Sequence, residues 1–207
     1  MNFGFLLFND LEELDFAGPW EMVGVWRKKT GQPQQVLAVS QDGKPVTCAK
    51  GLRIMADCSF DSCPALDYLL IPGGQGTRIE VDNPALLEFV RRQAAGCRHV
   101  LSVCTGSFIL TAAGLLRDKH ATTHWGSLER LRQEPGVTVV EERFVRDGNI
   151  WSSAGVSAGI DLALALIAAE AGEETASMVQ LSAEYYPSAR RYGKAHLGPG
   201  LPAYLRK

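Results

Sequence analysis

No stretch of this 207-residue sequence is apolar for long enough to cross a bilayer. The longest run near its end, Leu162 to Ala169, is eight residues, against about 20 needed. The N-terminal apolar run, Phe3 to Phe8, has neither the basic start nor the cleavage site of a signal peptide. Charge of one sign is also missing: 21 Lys and Arg against 23 Asp and Glu leave a formal charge of -2, so no basic field draws the chain to nucleic acid. Cys-x-x-Cys pairs, zinc-finger spacing and extended Lys/Arg runs are absent, and the four histidines are scattered. A metal site is therefore not expected. The five cysteines, Cys48, Cys58, Cys63, Cys97 and Cys104, are an odd number without disulfide-framework spacing, which fits a reducing cytoplasm. There is no G-x-G-x-x-G fingerprint, no P-loop, no internal repeat and no linker.

What is present is a folding sequence, 46% hydrophobic and 21% charged, an ordinary globular composition. Against a typical domain of about 150 residues, its length points to one domain over 1–207. Short apolar runs predict strands at Asn2 to Phe8, Gln35 to Ser40, Tyr68 to Ile71 and His99 to Val103. Gly18-Pro19 opens a predicted helix, Trp20 to Thr30, with Arg27, Lys28 and Lys29 in its last turn and Gly31 as its stop. Asn83 and Pro84 start another, with Gly96 at its end, and Gly106 to Ala113 is a third. Asp42-Gly43 and Asp147-Gly148 read as hairpin turns, the second between Phe144 to Arg146 and Asn149 to Trp151. Val137 to Val140 reads as extended. Ser157 is placed to cap a helix to Ala171 that is apolar nearly all round and so buried, and Glu173-Glu174 begin one more. The tail, Pro187 to Lys207, reads as a surface wrap. Strands alternating with helices predict a three-layer α/β/α sandwich with a mostly parallel central sheet.

Three segments carry chemistry. In His99 to Phe108 a buried strand runs into Cys104, Thr105 and Gly106 and then a helix. That is a strand–nucleophile–helix turn, which lifts a side chain out of the sheet. Unpaired N–H groups at the helix start favour thiolate, so the Cys104 pKa is expected below the free value of about 8.5 and Cys104 is expected to alkylate fastest of the five. The other reading is a buried small hydrophobe. Pro72-Gly73-Gly74-Gln75-Gly76 follows a strand; its glycines let backbone N–H groups approach a ligand, or form a plain turn. Asp15 sits between apolar neighbours in Leu14-Asp15-Phe16. It either caps the following helix or points into a site at the strand ends.

Together these segments resemble the ThiJ/PfpI superfamily, with its class I glutamine amidotransferase-like (flavodoxin-like) fold, and within it the isocyanide hydratase family. The resemblance runs through Gly4 to Phe8, Leu14-Asp15, Gly18-Pro19, Ile71 to Gly74, Ser102 to Ser107, Ala112 to Arg117, Ala121 to Trp125 and Ala158 to Asp161. It implies Cys104 as nucleophile and Asp15 as proton donor and acceptor. Thr105 would orient sulfur or substrate, and backbone amides near Gly73, Gly74 and Thr105 would settle charge. Ala154 and Val156 would face the pocket, where the family has Gly and Ile; His124 would lie near it, either in a direct role or in packing. The resemblance further implies a small-molecule isocyanide substrate, no metal or organic cofactor, and a homodimer with its interface near Asp15 to Trp20, where Trp20, Trp26, Tyr185 and Tyr186 read as contact residues. Thr105 stands where peptidases of the superfamily carry a histidine.

Two other readings remain open: another cysteine enzyme of the superfamily (a glyoxalase, deglycase or amidase), and a non-catalytic redox-sensor or regulator-like domain. AraC-type regulators carry a similar tract around the cysteine but need a helix-turn-helix module after it. With the chain ending at Lys207 there is no room for one, so a complete regulator is not expected.

Overall fold

The computed structural model describes residues 1–187 and 191–206. Eleven strands and eight helices follow in chain order among these residues: β1 Asn2–Leu6, α1 Glu13–Thr30, β2 Gln35–Ser40, β3 Val46–Thr47, β4 Arg53–Ile54, β5 Cys58–Ser59, β6 Tyr68–Ile71, α2 Thr77–Glu80, α3 Pro84–Ala94, β7 His99–Val103, α4 Gly106–Ala112, β8 Lys119–Ala121, α5 Leu128–Arg132, β9 Val137–Val139, β10 Phe144–Asp147, β11 Ile150–Ser153, α6 Ala158–Ala171, α7 Glu173–Ser182 and α8 Ala203–Arg206. The central sheet has the order β10-β11-β7-β6-β1-β2-β5. Every pairing in it is parallel except β10 with β11. A parallel sheet is covered on both faces, so its strands must be apolar on both sides. Accordingly β6, β7 and β11 are buried along their whole length, and helices flank the sheet.

From β1 the chain steps one way to β2 and the other way to β6. Such a reversal opens a crevice at the carboxyl ends of the strands, where open α/β sheets place ligands. The segments after β1, β6, β7 and β11 all emerge at that edge.

Several local expectations change. α1 begins at Glu13 rather than Trp20, so Asp15 and Gly18-Pro19 lie inside it. Pro19 lacks the amide that would bond the Asp15 carbonyl, which is why the pair reads as a break. Its use is interhelical: a Cβ on Gly18 would stand 2.8 Å from Ile160 Cγ1 of α6, so the glycine lets the two helices close up. Asp42-Gly43 does not join a hairpin, because β2 pairs in parallel with β1 and β5 while β3 pairs with β4 in a small separate sheet. The β10–β11 hairpin forms, with Asp147 opposite Ile150 and hence Gly148-Asn149 as its loop. Ser157 makes no cap; its hydroxyl accepts from Arg143 Nη2 at 3.2 Å. α6 buries one side only, through Leu162, Ala163, Leu166 and Ile167. Asn83 does cap α3, accepting from the amides of Ala85 and Leu86. Of the tail, 188–190 and 207 lie outside the described residues; elsewhere it is mostly exposed and Pro202 is buried.

Among the described residues no helix is long and apolar enough to cross a membrane.

Candidate active site

Cys104 stands between β7 and α4 with φ +56°. For a residue with a Cβ this left-handed conformation costs energy and persists only where the surroundings enforce it. Here β7 is locked in the middle of the sheet, and Gly106 starts the next helix directly against the carbonyls that end β6. The thiol is turned out of the sheet yet remains buried, 7% exposed.

Asp15, wholly buried, is in the first turn of α1. It does not cap that helix. Its Oδ2 accepts from the Gly73 N–H at 2.9 Å, across from the end of β6. Its Oδ1 is buried with no hydrogen-bond partner, and the Cys104 thiol stands near enough to the carboxyl to lower its pKa. A buried carboxylate loses its hydration, and this burial raises the Asp15 pKa to about 8. The Gly73 N–H and the thiol work in the opposite direction, and the nearby Glu12 charge adds to the rise.

The same burial corrects the expectation for Cys104. Its thiol is pushed up rather than down, first by burial and then by the Asp15 charge; the amide and hydroxyl of Thr105 pull the other way and lose. The other four thiols are also pushed up by burial, Cys48 to about 11 and Cys63 and Cys97 to about 12. Fastest alkylation at Cys104 therefore has no electrostatic basis. Cys104 and Asp15 instead form a neutral, protonated pair at pH 7 that titrates as a unit.

Around this pair the expected residues come together unequally. Thr105 Oγ1 accepts from the Gly74 N–H at 3.0 Å and donates to the Gly74 carbonyl at 3.2 Å, with Thr77 Oγ1 3.3 Å away. The amides of Gly73 and Gly74 are thus already engaged, one holding Asp15 and the other Thr105, and the Thr105 N–H faces the sulfur. A cavity of about 290 Å³ opens on Cys104, with Gly74, Thr105, His124 and Val156 in its wall. Ala154 is fully buried and absent from that wall; its N–H bonds the Arg143 carbonyl at 2.9 Å. Arg143 also pairs with Asp161 at 2.5 Å and donates to Ser157, so it pins both ends of the 154–157 loop. His124 Nδ1 accepts the Gly126 N–H at 3.2 Å, and burial lowers the pKa of the ring, keeping it neutral.

Gly155 is a site residue that the sequence reading passed over between its two named neighbours. A Cβ there would stand 2.8 Å from Cys104 Sγ and 2.7 Å from His124 Cδ2. A glycine just beyond the carboxyl end of a buried strand is the signal for such an approach. Gly155→Ala is expected to displace the sulfur or the imidazole and lower kcat/KM roughly 10²-fold, as an ångström of misplacement does, with the fold retained by circular dichroism. Wild-type kinetics in that variant would show the contact to be slack.

Known proteins resemble this chain in sequence and in fold. The isonitrile hydratase of Pseudomonas putida is 42% identical over 188 residues, 91% of this chain and 80% of that one. An HTH-type transcriptional regulator of Pseudomonas aeruginosa is 31% identical over 85% of this chain, which spans about half (48%) of the regulator. A ThiJ/PfpI family protein from Pseudomonas syringae superposes with a TM-score of 0.87 at 32% identity, covering 99% of this chain and 82% of that one. The DJ-1beta of Drosophila melanogaster shares the fold, with a TM-score of 0.78 at 19% identity over 90% of this chain and 98% of that one. With the family model matching residues 2–169, the chain belongs to the DJ-1/PfpI family.

Proposed function

We propose that this chain, as one domain over 1–207, is an isocyanide hydratase, a hydro-lyase that converts an isocyanide to an N-substituted formamide. The observation that carries the reading is the buried Cys104–Asp15 pair. An isocyanide must receive a nucleophile and a proton on the same terminal carbon. A thiol beside a protonated carboxyl supplies both from one side. The relative named as an isonitrile hydratase, 42% identical, supports the assignment.

In the proposed sequence Cys104 sulfur bonds the terminal carbon while that carbon takes a proton from Asp15. The thiol proton passes to Asp15 as sulfur attacks, so the pair is never left with a buried thiolate. The product is a thioimidate, R–N=CH–S–Cys104. Water then adds its oxygen to this carbon, with Asp15 taking a proton from the water and returning one to nitrogen. The tetrahedral adduct R–NH–CH(OH)–S–Cys104 collapses, breaking the C–S bond, and the hydroxyl proton returns through Asp15 to sulfur. R–NH–CHO leaves with Cys104 and Asp15 as they began. The Thr105 N–H steadies the sulfur as charge builds on it. Every step uses groups of this chain, so the reading requires no metal or organic cofactor.

Incubation with a simple alkyl isocyanide, and separately with methylglyoxal, tests the reading. Formamide from the first at a rate well above any loss of the second is expected. Rapid methylglyoxal turnover without formamide would make the protein a glyoxalase instead.

The mechanism needs a free thiol, and all five cysteines are free, the state that a cytoplasm maintains; we assign the protein there, acting on a small molecule and not on nucleic acid or membrane. We also propose a homodimer, on altered grounds. Trp26 is in the core, and Trp20 is half-buried, stacked on Phe16 at 5.0 Å. Tyr185 donates to Asp161. Among the exposed apolar side chains, Leu14 lies on α1 and Met178 and Leu181 on α7, with Tyr186 just beyond; α1 and α7 pack together, and Leu14 adjoins Asp15. Light scattering over a dilution series is expected to give twice the chain mass, with specific activity falling on dissociation. A single-chain mass at all micromolar concentrations would refute the dimer.

A further inference from the structure

We propose that the isocyanide taken by this cavity carries a carboxylate and that Arg78 binds it. The inference rests on the hydratase reading for the chemistry at Cys104 and adds the substrate class.

The cavity wall is unsuited to a plain hydrocarbon. Beside Cys104 and Val156 it presents Glu12, Gln75, Arg78 and Ser127. An alkyl group filling this space would strip water from a guanidinium and an amide without replacing their hydrogen bonds, and that desolvation is unfavourable. The two charges on the wall, Glu12 and Arg78, are not paired with each other. Glu12 is held by Lys50, whose Nζ stands 2.5 Å from both of its oxygens and 3.8 Å from Glu13 Oε2. Asp15 stays protonated at pH 7 because of its burial. Arg78 has no carboxylate within ion-pair distance among the described residues. The Arg78 guanidinium is thus a wall cation that takes part in no ion pair among the described residues.

Arg78 also has a neighbour in the wall. It stands in α2, directly after the Gly-rich turn, and its Nη1 donates to the side chain of Gln75 in the same wall. That contact uses one donor of the fork. The remaining N–H groups can take a carboxylate through two parallel bonds, a geometry that lysine cannot reproduce. The carboxylate would lie at the exposed side of the cavity, at Arg78, and the isocyanide carbon at the buried side, at Cys104.

The test compares isocyanoacetate with its methyl ester, which has the same isocyanide carbon and no charge. In the wild type kcat/KM is expected to favour the acid by about tenfold or more, the range for a charge-assisted pair. The preference is expected to shrink toward unity in Arg78→Gln, to recover only in part in Arg78→Lys, and to reverse in Arg78→Glu. Added salt should erode it, since Arg78 is exposed. An acid-to-ester ratio that is the same in all four proteins overturns the proposal. Binding of N-formylglycine, the formamide product of the acid, is measured by calorimetry as a readout independent of turnover. It is expected in the wild type and lost in Arg78→Glu. If neither isocyanide is hydrated, the hydratase reading fails, while this binding comparison still decides whether Arg78 holds a carboxylate; equal binding in the wild type and Arg78→Glu overturns it.

Discussion

Cys104→Ala is expected to lose formamide formation by at least about 10⁴-fold, the scale on which covalent catalysis fails when its nucleophile is removed. The fold should survive. The Cys104 side chain does not hold the sheet together: its backbone N–H donates to the Ser153 carbonyl and its carbonyl accepts from the Thr123 and Ser107 hydroxyls, contacts that alanine keeps. Cys104→Ser is the stricter version, because it keeps size and a polar hydrogen and changes only the nucleophilic atom. Both variants are expected to melt within a few degrees of the wild type and to remain inactive. A serine variant retaining near-wild-type turnover would mean that the carbon is attacked by water directly and that the residue merely orients it.

Asp15→Asn is expected to lower kcat/KM by roughly 10²–10⁴-fold, the usual loss for a general acid–base group, while raising stability at neutral pH. The sign of the second effect follows from linkage. Asp15 titrates near 3.8 in an unfolded chain and near 8 in the folded one. Below the first value both states hold the proton and burial carries no ionisation penalty. Between the two, the unfolded state releases its proton and the folded state does not, so folding stability falls by roughly 1.4 kcal/mol per pH unit from this group. Above pH 8 both are ionised and the loss levels off. Asparagine cannot ionise, keeps an oxygen for the Gly73 N–H and turns an amide N–H toward the sulfur. Its melting temperature is therefore expected to exceed that of the wild type at pH 8, with the gap closing toward pH 4. Removing the carboxylate also removes a charge that pushes the Cys104 thiol up, so above pH 8 iodoacetamide should label Cys104 faster in Asp15→Asn than in the wild type. Wild-type kcat/KM is expected to fall as pH rises through about 8, where Asp15 loses the proton it must donate. A flat profile up to pH 9 would place the acid elsewhere.

The contrast between these results and a local reading of the chain shows where sequence suffices. Short buried runs at Tyr68–Ile71 and His99–Val103 announce parallel strands because covering helices make both faces apolar. The turn after the second of them announces Cys104 because so few residue patterns permit it. Asp15 could be noticed as an acid among apolar neighbours, but its job could not be read, since the Gly73 N–H that holds it arrives just past the end of β6, the strand beside β1. For the same reason the local argument put the wrong sign on the Cys104 shift. It saw the helix N-terminus and could not see the burial and the carboxyl, both supplied by distant segments. Gly18-Pro19 looked like a helix boundary because the pattern of a break and the pattern of a close helix crossing use the same residues. Glu12, Arg78 and Ser127 sit on three segments that meet only when β1, β6 and β8 are placed, so no spacing along the chain connects them.

The central claim is a bond between Cys104 sulfur and the isocyanide carbon. It is tested most directly by mixing excess protein with an alkyl isocyanide, reducing the mixture with borohydride within one turnover, and weighing the protein and its peptides. Reduction converts R–N=CH–S to R–NH–CH₂–S, so the account requires a mass gain of one isocyanide plus two hydrogens on the peptide containing Cys104. Formamide released with no such adduct, or an adduct on Cys48, Cys58, Cys63 or Cys97, would contradict it.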